Sequence, residues 1–366
     1  MNWQSVAPPP PPPPPPNPGN RTVTATAVPY TGPARVLGAA KHLDFARLGN
    51  RWYKLAGDHG DTGSPLDVPI PPPGLQDGQQ VVLSFNVPAN DWREDTPYYL
   101  PSSYGVQGAN PDDAMAIVVG NEAWVMNTAT NRGALAQPAG AAQQVDLLQK
   151  ICAYSPPSAQ WPLGHWRVIG PPPWVINGDR AWRGFYDPVK NRIVMPTNRN
   201  GAVWAMIDVA TGADLTQYDG SGVAYQYGDH IFSITGVAPD FVNRVFYVYD
   251  LNDSSIYQVS MDNPGGPTKV ATLPEPVQGT QAAIKLTWHP DLRAVIVAAT
   301  KINIYEVDSG AISSVARPDG FVNGVGTYVP TSTIFFDPDT HDIVSIGTID
   351  WDTGRNPGVY WRLKIQ

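Results

Sequence analysis

With 366 residues, 42% of them hydrophobic, the chain can fill one large core or several small ones in series. Charged residues make up only 15% at a net charge of −8, which argues against a nucleic-acid surface, because phosphate binding draws on clustered Lys and Arg. The single cysteine, Cys152, excludes an intrachain disulfide, and no apolar run approaches the ~18 residues of a membrane span.

The N-terminus has neither the charged n-region nor the apolar h-region of a secretory signal. The chain is therefore expected to be made and assembled inside a cell, leaving the sequon Asn20-Arg21-Thr22 unused. Residues 1–20 read as a proline-rich anchor and spacer, and residues 21–366 as the folded body. Nine consecutive prolines, Pro8 to Pro16, adopt an extended polyproline II rod of roughly 28 Å at ~3.1 Å per residue. Before the rod stands Met1-Asn2-Trp3-Gln4-Ser5-Val6, a short peptide whose tryptophan suits docking on a partner. The plainer alternative is a stiff but solitary tail.

Forty prolines and 34 glycines suit a turn-dense all-β chain. Thr22 to Val28 alternates threonine with valine or alanine, a good short strand. GNRWYKLAGDHGDTG and QQVVLSFNVPANDWRED make a first irregular unit, whose second strand is interrupted by an insertion from Ser64 to Gln80. A second unit is clearest in the hairpin Ala114 to Asn127; Ala141 to Ser155 reads as a short helix or a strand. Trp161, Trp166, Trp174 and Trp182 then crowd into 22 residues rich in Pro and Gly.

Four copies of one pattern follow: Trp182 to Gly212, Ile234 to Asp262, Leu286 to Gly310 and Ile334 to Ile365. In each, β-branched and aromatic runs are cut by Asn, Asp, Gly and Pro, and the first strand ends at a proline. The prolines are Pro188, Pro239, Pro290 and Pro338, at intervals of 51, 51 and 48 residues. A period near 50 with three or four strands per unit predicts a β-propeller. Counting units near positions 49, 120, 188, 239, 290 and 338 gives six blades, with five and seven left open by the irregular first two. The last copy ends without sequence for its outer strand, so Thr22 to Val28 is expected to pair beside Val359 to Ile365 or at that blade's outer edge.

Candidate chemistry is sparse. The six histidines are dispersed, and no nucleophile, metal-ligand or phosphate-loop spacing occurs, so neither catalysis nor a cofactor or metal is expected. Asp58, Asp61 and Asp67, and separately Asp250, Asn252 and Asp253, have the oxygen density of a calcium loop but equally that of tight turns. Twelve tryptophans and 16 tyrosines serve first to pack blades together; Trp161, Trp166 and Trp174 are the candidates for holding a ligand such as a sugar ring.

The first unit, with Gly57-Asp58-His59-Gly60 and Asn90-Asp91-Trp92, resembles kelch-type blades, including those of galactose-oxidase-like propellers. The later copies lack the kelch double glycine. The galactose-oxidase copper site, with a tyrosine crosslinked to a cysteine, has only Cys152 and Tyr154 to set against it. A kelch-like blade, a proline-rich arm and no catalytic motif together resemble propeller proteins of tailed-bacteriophage virions. That resemblance implies a non-enzymatic tail nozzle, hub or fibre-like subunit. Its partners would be other virion proteins, met through Met1, Asn2, Trp3 and Gln4 at the tip and the Pro8–Pro16 spacer, with copies repeated in a symmetric assembly and neither nucleic acid nor membrane bound. Two other classes fit the same pattern: a lectin-like propeller binding a host glycan or receptor, and a propeller enzyme of lyase, hydrolase or oxidase type.

Overall fold

The structure is a computed structural model that describes residues 19–29, 31, 45–54, 82–96, 114–127, 134–135, 145–146, 151–160, 165–170, 184–196, 204–213, 215, 236–250, 252–274, 285–298, 301–316, 333–346 and 359–366. Among these residues there is no helix. Short runs of Val, Ile, Tyr and Phe between Asn, Asp and Gly turns satisfy their backbone by pairing with the next run, so consecutive strands form antiparallel meanders.

Six meanders form six blades. Blade 1 is β2 (Phe45–Leu48), β3 (Arg51–Lys54), β4 (Val82–Asn86) and β5 (Asp91–Thr96). Blade 2 is β6 (Ala114–Val119), β7 (Glu122–Asn127), β10 (Ile151–Ser155) and β11 (His165–Gly170), with the ribbon β8 (Ala134–Leu135) and β9 (Val145–Asp146) inserted between its second and third strands. Blade 3 is β12 (Phe185–Asp187), β13 (Arg192–Pro196) and β14 (Trp204–Asp208). Blade 4 is β15 (Ala238–Asp240), β16 (Val245–Asp250), β17 (Ser255–Ser260) and β18 (Thr268–Thr272). Blade 5 is β19 (Lys285–His289), β20 (Ala294–Ala298), β21 (Lys301–Glu306) and β22 (Ile312–Ala316). Blade 6 is β23 (Thr333–Asp337), β24 (Asp342–Ile346), β25 (Val359–Ile365) and, from the other end of the sequence, β1 (Val23–Pro29). The protein is a six-bladed β-propeller.

The core is not one mass but a series of wedges between blades. Trp124 meets Ile193 and Ile207 between blades 2 and 3, and Trp204 meets Phe246 between blades 3 and 4. Tyr247 stacks on Trp288 at 5.8 Å between blades 4 and 5. Ile296 and Ile304 pack with Ile343 and Leu363 between blades 5 and 6. Phe335 lies 3.9 Å from Trp52, and Tyr53 lies 5.7 Å from Tyr154, closing the ring through blade 1 to blade 2. Each wedge removes large apolar side chains from water on both sides, at ~1.5–3 kcal/mol for a fully buried one. Near the axis the first strands approach so closely that a Cβ on Gly236 would come within 2.8 Å of the Leu286 amide nitrogen.

The expected closure is present. β1 pairs antiparallel with β25 from Val23 opposite Ile365 to Pro29 opposite Val359, as the outermost strand. Of the two readings of Ala141 to Ser155, the strand holds for residues 151–155, which form β10. One reading is corrected. In blade 1 the residues before and after the insertion form two strands, β3 and β4, paired with each other, so it joins strands instead of interrupting one.

Candidate functional site

At one end of the strands, first and second strands are joined by short turns, and there the repeat is most regular. Asp187, Asp240, His289 and Asp337 each end a first strand and are followed by a four-residue turn. The register mark is thus this Asp or His: Pro188, Pro290 and Pro338 follow it, whereas Pro239 precedes Asp240 inside β15. The Asp187 carboxylate accepts the Val189 N–H at 3.1 Å, Asp240 accepts Val242 N–H at 3.1 Å, and Asp337 accepts Thr340 N–H at 3.0 Å. These side chains satisfy turn donors that no strand can reach. Each turn closes on a residue with positive φ: Asn191 at 48°, Arg244 at 55°, Arg293 at 47° and His341 at 59°. The carbonyls of Asn191, Arg244 and Arg293 accept the N–H of Val209, Met261 and Val307, locking the turn to the end of the third strand.

In blades 4, 5 and 6 the fourth turn residue also reaches back to the preceding blade. Arg244 grips Asp187 with both ends of its guanidinium, at 2.8 and 2.9 Å, and holds Asp262 of its own blade at 2.8 Å. Burial acts to raise the Asp187 pKa, but the Arg244 pair and the turn N–H groups outweigh it and hold the carboxyl below its usual range. Arg244 is pushed above the ordinary arginine value by hydrogen bonds to Asp187 and Asp262. Arg293 repeats the motif less tightly, 3.6 Å from Asp240 of blade 4 and 2.8 Å from Asp308 of its own blade. At the next junction the fourth turn residue is His341, 2.6 Å from Asp291, and its pKa is raised by that carboxylate. The carboxylate position there is taken by His289, which is buried against Phe336 and pushed down to about 4 by desolvation. At the ring's seam Trp52 Nε1 donates to Asp337 at 2.9 Å and Arg47 pairs with Asp339 at 2.8 Å.

The root of the N-terminal arm is fastened to the outer turn of blade 5. The Gly19 N–H donates to Glu306 at 3.2 Å, the Arg21 N–H donates to Ser313 at 3.0 Å, and the Arg21 guanidinium meets both Glu306 oxygens at 3.0 and 2.7 Å. Burial acts to raise the Glu306 pKa, yet Arg21 and the Gly19 N–H bring it below the ordinary value. At the end of β1, Asn90 of blade 1 donates its side-chain amide to the Pro29 carbonyl at 3.0 Å. One strand therefore straps blade 5 to blade 6 and blade 6 to blade 1.

Among the described residues the exposed large hydrophobics are Val189, Leu215, Phe241 and Val242, all in blades 3 and 4. Val189 is 67% exposed and Val242 83%, on adjacent turns that the Arg244–Asp187 pair holds together. Phe241, 46% exposed, lies 5.9 Å from Phe185 of blade 3 in an edge-to-face contact. Sequence reading did not single out these residues, although an apolar Phe-Val at the tip of a turn otherwise filled by polar residues was the available signal.

Of the residues expected to hold a ligand or partner, only Trp166 falls within the described residues. Trp166 lies on the outer strand β11, opposite Tyr154 in the register, while Trp161, Trp174 and the arm residues Met1, Asn2, Trp3, Gln4, Pro8 and Pro16 lie outside the described residues. Asp58, His59, Asp61 and Asp67 lie outside them too. In the DLNDSS loop the carboxylates are taken up by the turn: Asp250 accepts the Asn252 N–H at 2.9 Å, and Asp253 accepts Tyr257 Oη at 2.8 Å and pairs with Lys269 at 2.9 Å. Among the described residues no three His, Cys, Asp or Glu side chains are grouped as metal ligands. Tyr154, the tyrosine weighed for a radical site, is buried in the wedge with Tyr53.

No family model matches the sequence, and no curated protein matches it. Among solved structures, a streptogramin B lyase is 10% identical with a TM-score of 0.49, covering 94% of this chain and 98% of its own. An auxiliary nutrient binding protein from Bacteroides thetaiotaomicron is 9% identical with a TM-score of 0.49, covering 90% and 70%. The β-propeller domain of Cps50 (Swd1) from Myceliophteria thermophila is 11% identical with a TM-score of 0.47, covering 93% and 99%.

Proposed function

We propose that the protein is a non-enzymatic structural subunit of a tailed-bacteriophage virion, a tail nozzle, hub or fibre-like appendage, assembled in the host cytoplasm. It attaches to neighbouring virion proteins through residues 1–18, and its kelch-like propeller serves as the protein-binding platform. The observation that carries this reading is the root of the arm. Residues 19–29 are no loose tail; Gly19, Arg21 and β1 are integral to blades 5 and 6. A peptide tip docked elsewhere would thus be coupled to the ring through a proline rod and a paired strand, so that pull on the tip loads a whole blade. Such a rod loses little entropy on binding because it is already extended, and one buried tryptophan can contribute ~2 kcal/mol or more.

Mass spectrometry of purified particles from the source, joined to incorporation assays, tests the reading. Trp3→Ala and a deletion of residues 1–18 are expected to fold with unchanged circular dichroism yet fail to enter the particle. Normal incorporation of the deletion would show that the ring makes the attachment. Stoichiometric copper or calcium together with turnover on a sugar or alcohol would overturn the non-enzymatic part.

A further inference from the structure

We propose that the exposed turns of blades 3 and 4 receive the N-terminal peptide Met1–Val6 of a second copy of this chain. The inference rests on the reading of residues 1–20 as a docking arm and names what the arm docks on. The surface fits a small apolar anchor. Val189, Phe241 and Val242 stand exposed on two adjoining turns, and beneath them Arg244 already pairs with the buried Asp187 and with Asp262, so the buried charge is matched before anything docks. The peptide MNWQSV brings Met1, Trp3 and Val6 with no charged side chain to desolvate.

Position and length decide between the same copy and another. The arm's root and the apolar turns lie at the same end of the strands, linked by a run of contacts: Gly19 to Glu306, Asp308 to Arg293, and Arg293 to Asp240, the neighbour of Phe241. That path crosses two strand spacings and one step between packed sheets, roughly 20 Å. The nine-proline rod alone spans roughly 28 Å, and Trp3 stands several residues beyond it. A stiff spacer of that length overshoots its own blade 4 and suits a neighbour. Because root and receptor occupy different blades, each copy can give one arm and take one, the head-to-tail pattern that builds rings or filaments.

The test uses the full chain, the deletion of residues 1–18, Val242→Asp, and a labelled peptide of residues 1–20. Val242 is a turn-tip side chain, so its replacement is expected to leave circular dichroism and melting unchanged. Sedimentation equilibrium is expected to show self-association of the full chain, monomers for either variant alone, and association again when the two are mixed, since one supplies the arm and the other the turns. The peptide is expected to bind the deletion, and at least tenfold more weakly once Val242→Asp is added. Equal peptide binding with and without Val242→Asp overturns the inference, as does a full chain that stays monomeric. If the deletion dissociates the assembly and Val242→Asp does not, the arm docks on another surface: the inference fails while the docking arm stands. If neither change matters, both fail.

Discussion

Two kinds of blade junction close this ring, and they differ in what holds them. Between blades 3 and 4 a repeated turn position supplies Arg244, which binds a buried Asp187 of the preceding blade. From blade 5 through blade 6 to blade 1 the same register positions hold His289 and Trp52-bound Asp337, and a strand from the far end of the chain is laid across the outside. The first kind is built from one repeat contacting the next, so it recurs with the sequence period. The second ends at the junction of blade 6 with blade 1, units that are not consecutive, where chain connectivity no longer keeps them together. There an aromatic wedge of Phe45, Trp52 and Phe335 and the strap β1 take over. A closed ring is therefore only as cooperative as its seam.

Removing the strap should produce the largest effect. Deleting residues 1–30 exposes the β25 edge and frees Glu306, and the melting temperature is expected to fall on the order of 10 °C, read by differential scanning calorimetry. Should that deletion not fold, Arg21→Met isolates one part: it leaves the buried Glu306 carboxylate without its guanidinium, at about 3–5 kcal/mol. Melting like the full chain in both cases would mean the ring is closed elsewhere.

Arg244→Met should come next, because it leaves Asp187 buried and stripped of a bidentate partner; about 3 kcal/mol is expected. Arg293→Met, which acts on a 3.6 Å contact, is expected to cost less than half as much in urea unfolding. Equal losses would show that the tight pair is no tighter in solution.

The histidine junction can be read by pH. His289 titrates near 6.5 when unfolded and is pushed to about 4 in the fold, so the unfolded chain binds more protons between those values. Stability contributed by its neutral form is present above pH 6.5 and is lost as pH falls toward 4, by on the order of 3 kcal/mol. His341 works the other way: its raised pKa gives stability that is present below 6.5 and lost as pH rises through the folded value. His289→Gln should flatten the acid limb of the melting curve, and an unchanged limb would place the acid sensitivity in the carboxylates, such as Asp187 and Glu306.

A smaller effect is expected at one hydrogen bond across the seam. Trp52→Phe keeps a ring against Phe335 but removes the donor to the buried Asp337, which retains its turn donors from Thr340; about 1–2 kcal/mol is expected.

Much of this was legible in the sequence, for reasons that differ by region. The four late copies announce themselves because a propeller blade is a local meander, with each strand paired to its neighbour in sequence. The strap was legible from an absence: the last copy lacks an outer strand, and Thr22 to Val28 is the unclaimed alternating run. The reach of Arg244 to Asp187 was not legible, since it spans 57 residues and depends on blade twist. Proline misled by one position in blade 4, because the turn needs the Asp240 carboxylate at its start and tolerates proline on either side. The exposed Phe241-Val242 pair was hidden for a related reason. Only the ring shows which turns share one end of the strands.

The most direct measurement on the closed ring is a crosslink between its two chain ends. Thr24 and Lys364 face each other across β1 and β25, both with exposed side chains. Opposed residues of an antiparallel pair lie about 4.5–5.5 Å apart at Cα, within the reach of a disulfide. Thr24→Cys with Lys364→Cys should form an intrachain disulfide on mild oxidation, identified by peptide mapping that distinguishes it from Cys152, and should raise the melting temperature above that of the reduced form. Failure to form that bond in folded protein, or its appearance only between chains, would contradict closure of the propeller by its own N-terminal strand.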